Sequence, residues 1–255
     1  MTTADHTRQL ATFGQNDDFW LFGYGSLIWK PPPHFDERVP GYIEGYVRRF
    51  WQGSEDHRGT PEAPGRVVTL IDRAHWDTLT DAHEPTERVW GAAYHIPRAK
   101  VAEVREYLGC MLMRRHGQTD IREINGYSIQ FTPFIPSSSP STPMQTLVYI
   151  GLPSNPQFLG PQDPDALAAH ILKSRGPSGE NRDYLFQLEE ALGGLGSGAG
   201  DAHVSDLVER CKTLEAKAGK GVTVAEADGE EAGKKNEGEG LKKVGSTEEQ
   251  EEVEK

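Results

Sequence analysis

Two cysteines, Cys110 and Cys211, are all that the 255-residue chain contains. They cannot build a disulfide framework or a four-thiolate metal site. Long apolar runs are missing too: no stretch approaches the ~18 consecutive apolar residues of a spanning helix. The opening stretch, Met1 to Asp18, lacks an apolar segment flanked by basic residues, so no secretory signal is expected. Positive charge is scarce, with 27 Lys and Arg against 39 Asp and Glu and a formal net of −12. Binding nucleic-acid phosphates needs the opposite balance, which argues against a generic nucleic-acid binder. Apolar residues reach only 36%, below the roughly 45–50% of a globular chain on a count that includes glycine. What remains is a soluble, cytoplasmic α/β or α+β protein with no structural metal and no membrane segment.

Much of the apolar deficit sits near the C-terminus. Residues 218–255 hold eleven Asp and Glu against six Lys, with no aromatic side chain. Such a stretch buries too little surface to offset its ordering entropy, and it reads as an acidic disordered tail. Residues 1–18 read as a flexible leader, which leaves 19–217 as the ordered domain.

Within that domain, Phe19-Trp20-Leu21-Phe22 is an apolar run that passes into Gly23 and Gly25, the pattern of a strand ending in a functional loop. Residues 65–71, 88–96 and 145–150 are β-branched or aromatic runs bounded by Pro, Gly and charge, and they predict strands. Pro97 opens a helix with Val101, Val104 and Leu108 on one face; 164–174 and 181–192 repeat the helical spacing. The irregular interleaving favours an α+β domain over a doubly wound sheet.

Three segments carry candidate chemistry. In Phe22-Gly23-Tyr24-Gly25-Ser26-Leu27, alternate glycines allow a sharp turn whose successive N–H groups form an anion nest, with the Ser26 hydroxyl beside it. Ile28 occupies the place of a third fingerprint glycine, so this is not a dinucleotide loop, and a plain structural turn is the alternative. Arg48-Arg49-Phe50-Trp51-Gln52-Gly53-Ser54, with Asp56-His57-Arg58-Gly59 and Pro64-Gly65-Arg66, reads as a mobile cationic wall around an anionic, peptide-like ligand, or else as a solvated loop. His57 and His83 lack His or Cys partners at ligand spacing, which argues against a metal. Glu123 lies between Ile121 and Ile124 beside Arg122, where desolvation would raise its pKa into the range of general acid–base work; a surface ion pair with Arg122 is the alternative.

Taken together, these segments resemble the ChaC-like, glutathione-specific γ-glutamylcyclotransferases. The resemblance rests on Phe22-Gly23-Tyr24-Gly25-Ser26-Leu27-Ile28-Trp29-Lys30, on Arg48 to Ser54 with Asp56-His57-Arg58-Gly59, and on Pro64-Gly65-Arg66-Val67-Val68-Thr69-Leu70. It continues through Val89-Trp90-Gly91, Arg122-Glu123-Ile124-Asn125-Gly126-Tyr127, Tyr149-Ile150-Gly151, Asn155-Pro156, Leu159-Gly160-Pro161 and Gly176-Pro177-Ser178-Gly179 to Phe186. It implies a compact mixed β-barrel-like fold with flanking helices. It also implies cofactor-free cleavage of glutathione to 5-oxoproline and cysteinylglycine. Glu123 would be the catalytic acid/base, and Leu21, Phe22, Gly23, Tyr24, Gly25 and Ser26 the substrate-binding loop. Against the family pattern, residues 109–119 intervene just ahead of Glu123. A continued helix of eleven residues would carry Glu123 along by about 16 Å, whereas Gly109 and Gly117 favour a looped-out insertion that leaves the site intact. Two alternatives stay open: a γ-glutamyl-binding protein inactivated by the insertion, and a cyclotransferase for other γ-glutamyl amines or amino acids.

Overall fold

The computed structural model describes residues 17–112 and 127–227. Strands β1 (Trp20–Gly23), β2 (Glu37–Glu44), β5 (Arg88–His95), β6 (Tyr127–Pro136) and β7 (Met144–Gly151) form a closed barrel in the order β1-β5-β2-β6-β7. Most pairings are antiparallel, from Trp20↔His95 in β1–β5 to Tyr127↔Gly151 in β6–β7. The barrel closes through one parallel step at Leu21↔Leu147, which mixes the sheet and removes its free edges. Strands β3 (Tyr46–Ser54) and β4 (Gly65–Asp72) form a separate antiparallel ribbon, with a register shift between Arg49 and Gln52.

Helices α1 (Arg73–Trp76), α2 (Val101–Leu112), α3 (Pro164–Lys173), α4 (Asn181–Gly193) and α5 (Ala202–Ala227) complete the α+β architecture, with 3-10 turns at Ser26–Ile28 and Arg98–Lys100. Strands β8 (Arg175–Gly176) and β9 (Gly179–Glu180) make a short hairpin between α3 and α4. The start of α3 follows its sequence: Pro164 needs no N–H partner in the first turn, and the Asp163 carboxylate accepts from Ala166 N–H at 2.9 Å. One large core packs barrel residues such as Phe22, Ile43, Tyr94 and Phe134 against Leu185 and Leu188 of α4 and Val204, Leu207 and Val208 of α5. A smaller core gathers Phe19, Leu21, Ile96 and Leu147 around Val101 and Val104 of α2.

Three features differ from the sequence reading. Arg48 to Ser54 is the buried strand β3, not a mobile wall. Its arginines are burdened with charge but matched: Arg48 Nη1 lies 3.5 Å from Asp201, and Arg49 Nε donates to Asp81 at 2.5 Å. Gly109 does not end its helix, since α2 continues through Leu112, four residues into the 109–119 segment. Helix α5 runs to Ala227 and takes up ten residues of the stretch expected to lack order. Adding residues to an existing helix costs far less than starting one, which outweighs the weak helix preference of Gly219, Gly221, Val222, Thr223 and Val224. By contact density the chain divides after Glu215.

A buried relay ties α5 to the ribbon. Phe50 N–H donates to His203 Nε2 at 3.1 Å, so the His203 proton resides on Nδ1, which faces His83 Nδ1 at 3.3 Å. His83 then carries its proton on Nε2, 2.9 Å from the Asp206 carboxylate. The direction of donation is consistent with a neutral His203. Burial, reinforced by the Arg49 cation, holds His203 well below the usual imidazole range. Its stabilising contribution is therefore complete above the unfolded value near 6.5 and is lost as pH falls below it, by up to about 1.4 kcal/mol per pH unit. His95 acts in the opposite sense: it is partly desolvated, but hydrogen bonds to Asp36 and Asp17 raise it overall. Comparison with a His203→Gln variant isolates the relay. Urea unfolding between pH 6.5 and 5 is expected to show a steeper loss of stability in the parent than in the variant; equal slopes would contradict a neutral His203.

Candidate active site

Where β1 leaves the barrel, Ile28 N–H donates to Gly25 O at 2.9 Å and Lys30 N–H to Ser26 O at 2.8 Å, folding residues 25–30 into a tight turn. Tyr94 anchors the far side by donating its hydroxyl to Leu27 O at 2.6 Å. From α4, the Tyr184 hydroxyl packs against Val68 and the backbone of the loop at Gly25 and Ser26. A Cβ on Gly25 would stand 2.9 Å from that hydroxyl and from Val68 Cγ2, so the loop lies directly on Tyr184. Burial pushes the Tyr184 phenol up to about 12. It is a fixed hydrogen-bonding group and not a titrating one near neutrality.

The loop forms one side of an open pocket of about 420 Å³. Phe22, Gly23, Tyr24, Gly25, Ser26, Leu27 and Trp29 line that side. Gly53, Ser54, Val67 and Val68 of the ribbon, Gln157, Tyr107 of α2 and Tyr149 of β7 also line it. Asp56, His57, Arg58, Ser178, Lys30 and Tyr184 complete the lining. Burial, partly relieved by the Arg105 cation, raises the Tyr149 phenol to about 12. Burial also drives the Tyr24 phenol upward, with the neighbouring Tyr184 adding to the effect.

Backbone packed against backbone holds the 56–58 wall. A Cβ on Gly65 would stand 2.2 Å from Arg58 O, and one on Gly176 only 2.3 Å from His57 O. No residue larger than glycine fits these approaches without moving the main chain. Ser178 N–H donates to His57 O at 2.9 Å, and Arg58 N–H donates to Ser54 Oγ at 3.0 Å. Asn181, fully buried, satisfies both backbone polar groups of Arg66: it accepts from Arg66 N–H at 2.6 Å and donates to Arg66 O at 2.6 Å.

Of the residues singled out from sequence, Phe22, Gly23, Tyr24, Gly25 and Ser26 all meet at the pocket. Leu21 does not line it; the alternation of β1 turns its side chain into the smaller core. Glu123 lies outside the described residues. Arg58 and His57 are on the wall, whereas Arg48 and Arg49 are fully buried away from it. Tyr149, Tyr184, Gln157 and Ser178 were not singled out as site residues. Tyr184 gave a visible signal, a tyrosine among the apolar positions of 181–192, but nothing there indicated that its hydroxyl served a distant loop. Among the described residues no group of three or more His, Cys, Asp or Glu is placed to hold a metal ion. None of the described helices is long and apolar enough to cross a membrane.

A barrel with a glycine loop seated on a helix tyrosine above a peptide-sized pocket is the arrangement of a small-molecule site. Comparison with known proteins gives the class: the chain matches the ChaC-like protein family over residues 19–214 and belongs to it. Among its relatives, it is 42% identical over 202 residues to the glutathione-specific γ-glutamylcyclotransferase of Schizosaccharomyces pombe, covering 78% of this chain and 94% of that one. It is 45% identical over 200 residues to γ-glutamylcyclotransferase 2-3 of Arabidopsis thaliana, covering 76% and 89%. A crystal structure of a selenomethionine-labelled γ-glutamyl cyclotransferase specific to glutathione from yeast superposes with a TM-score of 0.65 at 34% identity, covering 76% of this chain and 96% of that one.

The packed wall makes a direct prediction. Gly176→Ala should cost about 1–3 kcal/mol, as overpacking does, and should lower the affinity for a pocket ligand. Gly193→Ala meets nothing within 4 Å at the end of α4 and should be neutral or stabilise by up to about 1 kcal/mol. Thermal unfolding of both variants checks the contrast; equal effects would contradict the packing described.

Proposed function

We propose that this chain is a γ-glutamylcyclotransferase that cleaves glutathione to 5-oxoproline and cysteinylglycine, acting in the cytoplasm and without a cofactor. The observation that carries the reading is the loop 22–26, which lines the pocket and packs on Tyr184, in a chain whose relatives are named γ-glutamylcyclotransferases, one of them glutathione-specific. In the reaction the substrate's α-amine attacks its own γ-carbonyl carbon. A five-membered lactam forms, the γ-amide C–N bond breaks, and the proton released from the amine ends on the departing cysteinylglycine nitrogen.

Because the attack is intramolecular, the chief demand on the protein is to hold the folded conformer of the γ-glutamyl group. A loop on a rigid helix tyrosine suits that task. Residues 22–26 would receive the γ-glutamyl head, with Leu21 supporting them from the core. Backbone N–H groups and the Ser26 hydroxyl would stabilise the α-carboxylate or the developing oxyanion. Glu123 would remove the ammonium proton and return it to the leaving amine. Its place in the chain supports the role: four residues later β6 begins at Tyr127, and Ile129 of β6 pairs with the pocket residue Tyr149. The catalytic unit would be 19–217, with 1–18 as a leader and the acidic residues beyond it outside the chemistry.

The continuation of α2 through Leu112 favours one competing reading, a γ-glutamyl-binding protein whose Glu123 is displaced. Incubation of the full-length chain with reduced glutathione separates the two. The proposal expects 5-oxoproline and cysteinylglycine in equal amounts by mass spectrometry. Glu123→Gln should reduce turnover by at least about 10²- to 10⁴-fold, the range for a general base, with unchanged circular dichroism. Glutathione bound but never cleaved by the parent chain would establish the binding protein instead, and substantial turnover by the variant would remove Glu123 from the base role.

A further inference from the structure

Among the described residues, three basic side chains line the pocket: Lys30, His57 and Arg58. Lys30 is exposed, and His57 is engaged with Ser178 Oγ at 3.1 Å and lies 3.9 Å from Asp56. Arg58 is different. It is 5% exposed, and no carboxylate among the described residues forms an ion pair with it. Its Nη1 donates to Glu180 O at 2.8 Å, and its guanidinium carbon stands 5.7 Å from the centre of the Tyr184 ring. Burial lowers its pKa, an effect only partly offset by Tyr184 and Asp183. Among the described residues, the other buried arginines, Arg48 and Arg49, each have an aspartate. A cation withdrawn from water with no such partner is unfavourable unless an anion reaches it.

We infer that Arg58 is the specificity-determining residue for the leaving group: it receives the C-terminal carboxylate of the dipeptide that departs from the γ-glutamyl head. The inference rests on the cyclotransferase reading of the site. Tyr184 sets the arrangement. Its hydroxyl bears the glycine loop that takes the γ-glutamyl head, and its ring carries Arg58, so two anion-binding elements stand along one rigid side chain. Glutathione has two carboxylates, one at its head and one on its terminal glycine. With the head carboxylate at the loop, the glycyl carboxylate meets Arg58, whose planar fork suits a carboxylate. Trp29 adds a donor nearby: it lines the same pocket, its ring packs edge-on to Tyr184 at 5.4 Å, and its buried indole N–H has no partner among the described residues.

The substrate class follows. A γ-glutamyl dipeptide with a free terminal carboxylate fits, and a γ-glutamyl amino acid falls short by one residue, about 3.5 Å of chain. Steady-state rates on glutathione, on its glycinamide (γ-glutamyl-cysteinyl-glycinamide) and on γ-glutamylcysteine test this without any mutation. The parent chain should show kcat/KM lower by about 10- to 100-fold on the glycinamide, the worth of a charged hydrogen-bonded contact. Arg58→Gln should lose that discrimination, bringing the ratio of glutathione to glycinamide within about threefold of unity, while Arg58→Lys keeps part of it. The ratio compares two substrates on one protein, so a general loss of folded enzyme does not move it. Equal parental rates on glutathione and its glycinamide would overturn the assignment of Arg58 and leave the cyclotransferase reading standing. If Arg58→Gln lowered both rates by the same factor, the residue would be structural or would hold the head carboxylate, and the inference would fail. No 5-oxoproline from any of the three substrates would remove the cyclotransferase reading, and the role of Arg58 with it.

Discussion

The site depends on one contact, the Tyr184 hydroxyl against the backbone at Gly25 and Ser26. The tyrosine is fully rooted in the core through Leu185 and Leu188 on its own helix and through Phe50, whose ring meets it edge-on at 5.9 Å. Its hydroxyl is too strongly desolvated to ionise near neutral pH, so it stays a neutral partner for peptide groups. A loop that leaves a barrel strand is thereby fixed to a helix more than 150 residues later in the chain. The fixation matters because a reaction that closes a ring within its substrate gains mainly from a restrained geometry.

Around that contact the fold uses main-chain packing where side chains would leave gaps. Gly65 and Gly176 bring the 57–59 wall into touch with the ribbon and with the β8–β9 hairpin, and no hydrocarbon lies between them. Such contacts are short and unforgiving, which suits a wall that must hold Arg58 in place. Buried charge follows a consistent rule elsewhere. Arg48 is matched by Asp201 and by the Trp90 carbonyl, and Arg49 by Asp81. Arg58 breaks the rule at the pocket, where a substrate can supply the missing anion.

Much of the framework was readable from periodicity. The strands expected at 65–71, 88–96 and 145–150 match β4, β5 and β7, and the helices expected at 164–174 and 181–192 match α3 and α4. What escaped had physical causes. Strand β2 contains Pro40 and Gly41, both of which normally interrupt strands, yet its pairing with β5 runs without a shift from Glu37 to Glu44. Strand β3 is covered on both faces, so it shows no alternation, and its two arginines resemble surface residues until partners 32 and 153 positions away neutralise them. The glycine loop was visible because two alternate glycines constrain the backbone locally. Tyr184 was visible only as part of an apolar helix face, since its hydroxyl acts through contacts that no local pattern encodes. The resemblance to the cyclotransferases supplied Glu123; periodicity alone left it between a catalytic group and a surface ion pair.

The account turns on where the two ends of the substrate lie relative to Tyr184. The direct measurement is a crystal structure of the protein with glutaryl-cysteinylglycine, which keeps both carboxylates and the γ-carbonyl of glutathione but lacks the amine that attacks. The account predicts the glutaryl end against residues 22–26 and the glycyl carboxylate on Arg58. A ligand bound in the reverse direction, or outside this pocket, would contradict it.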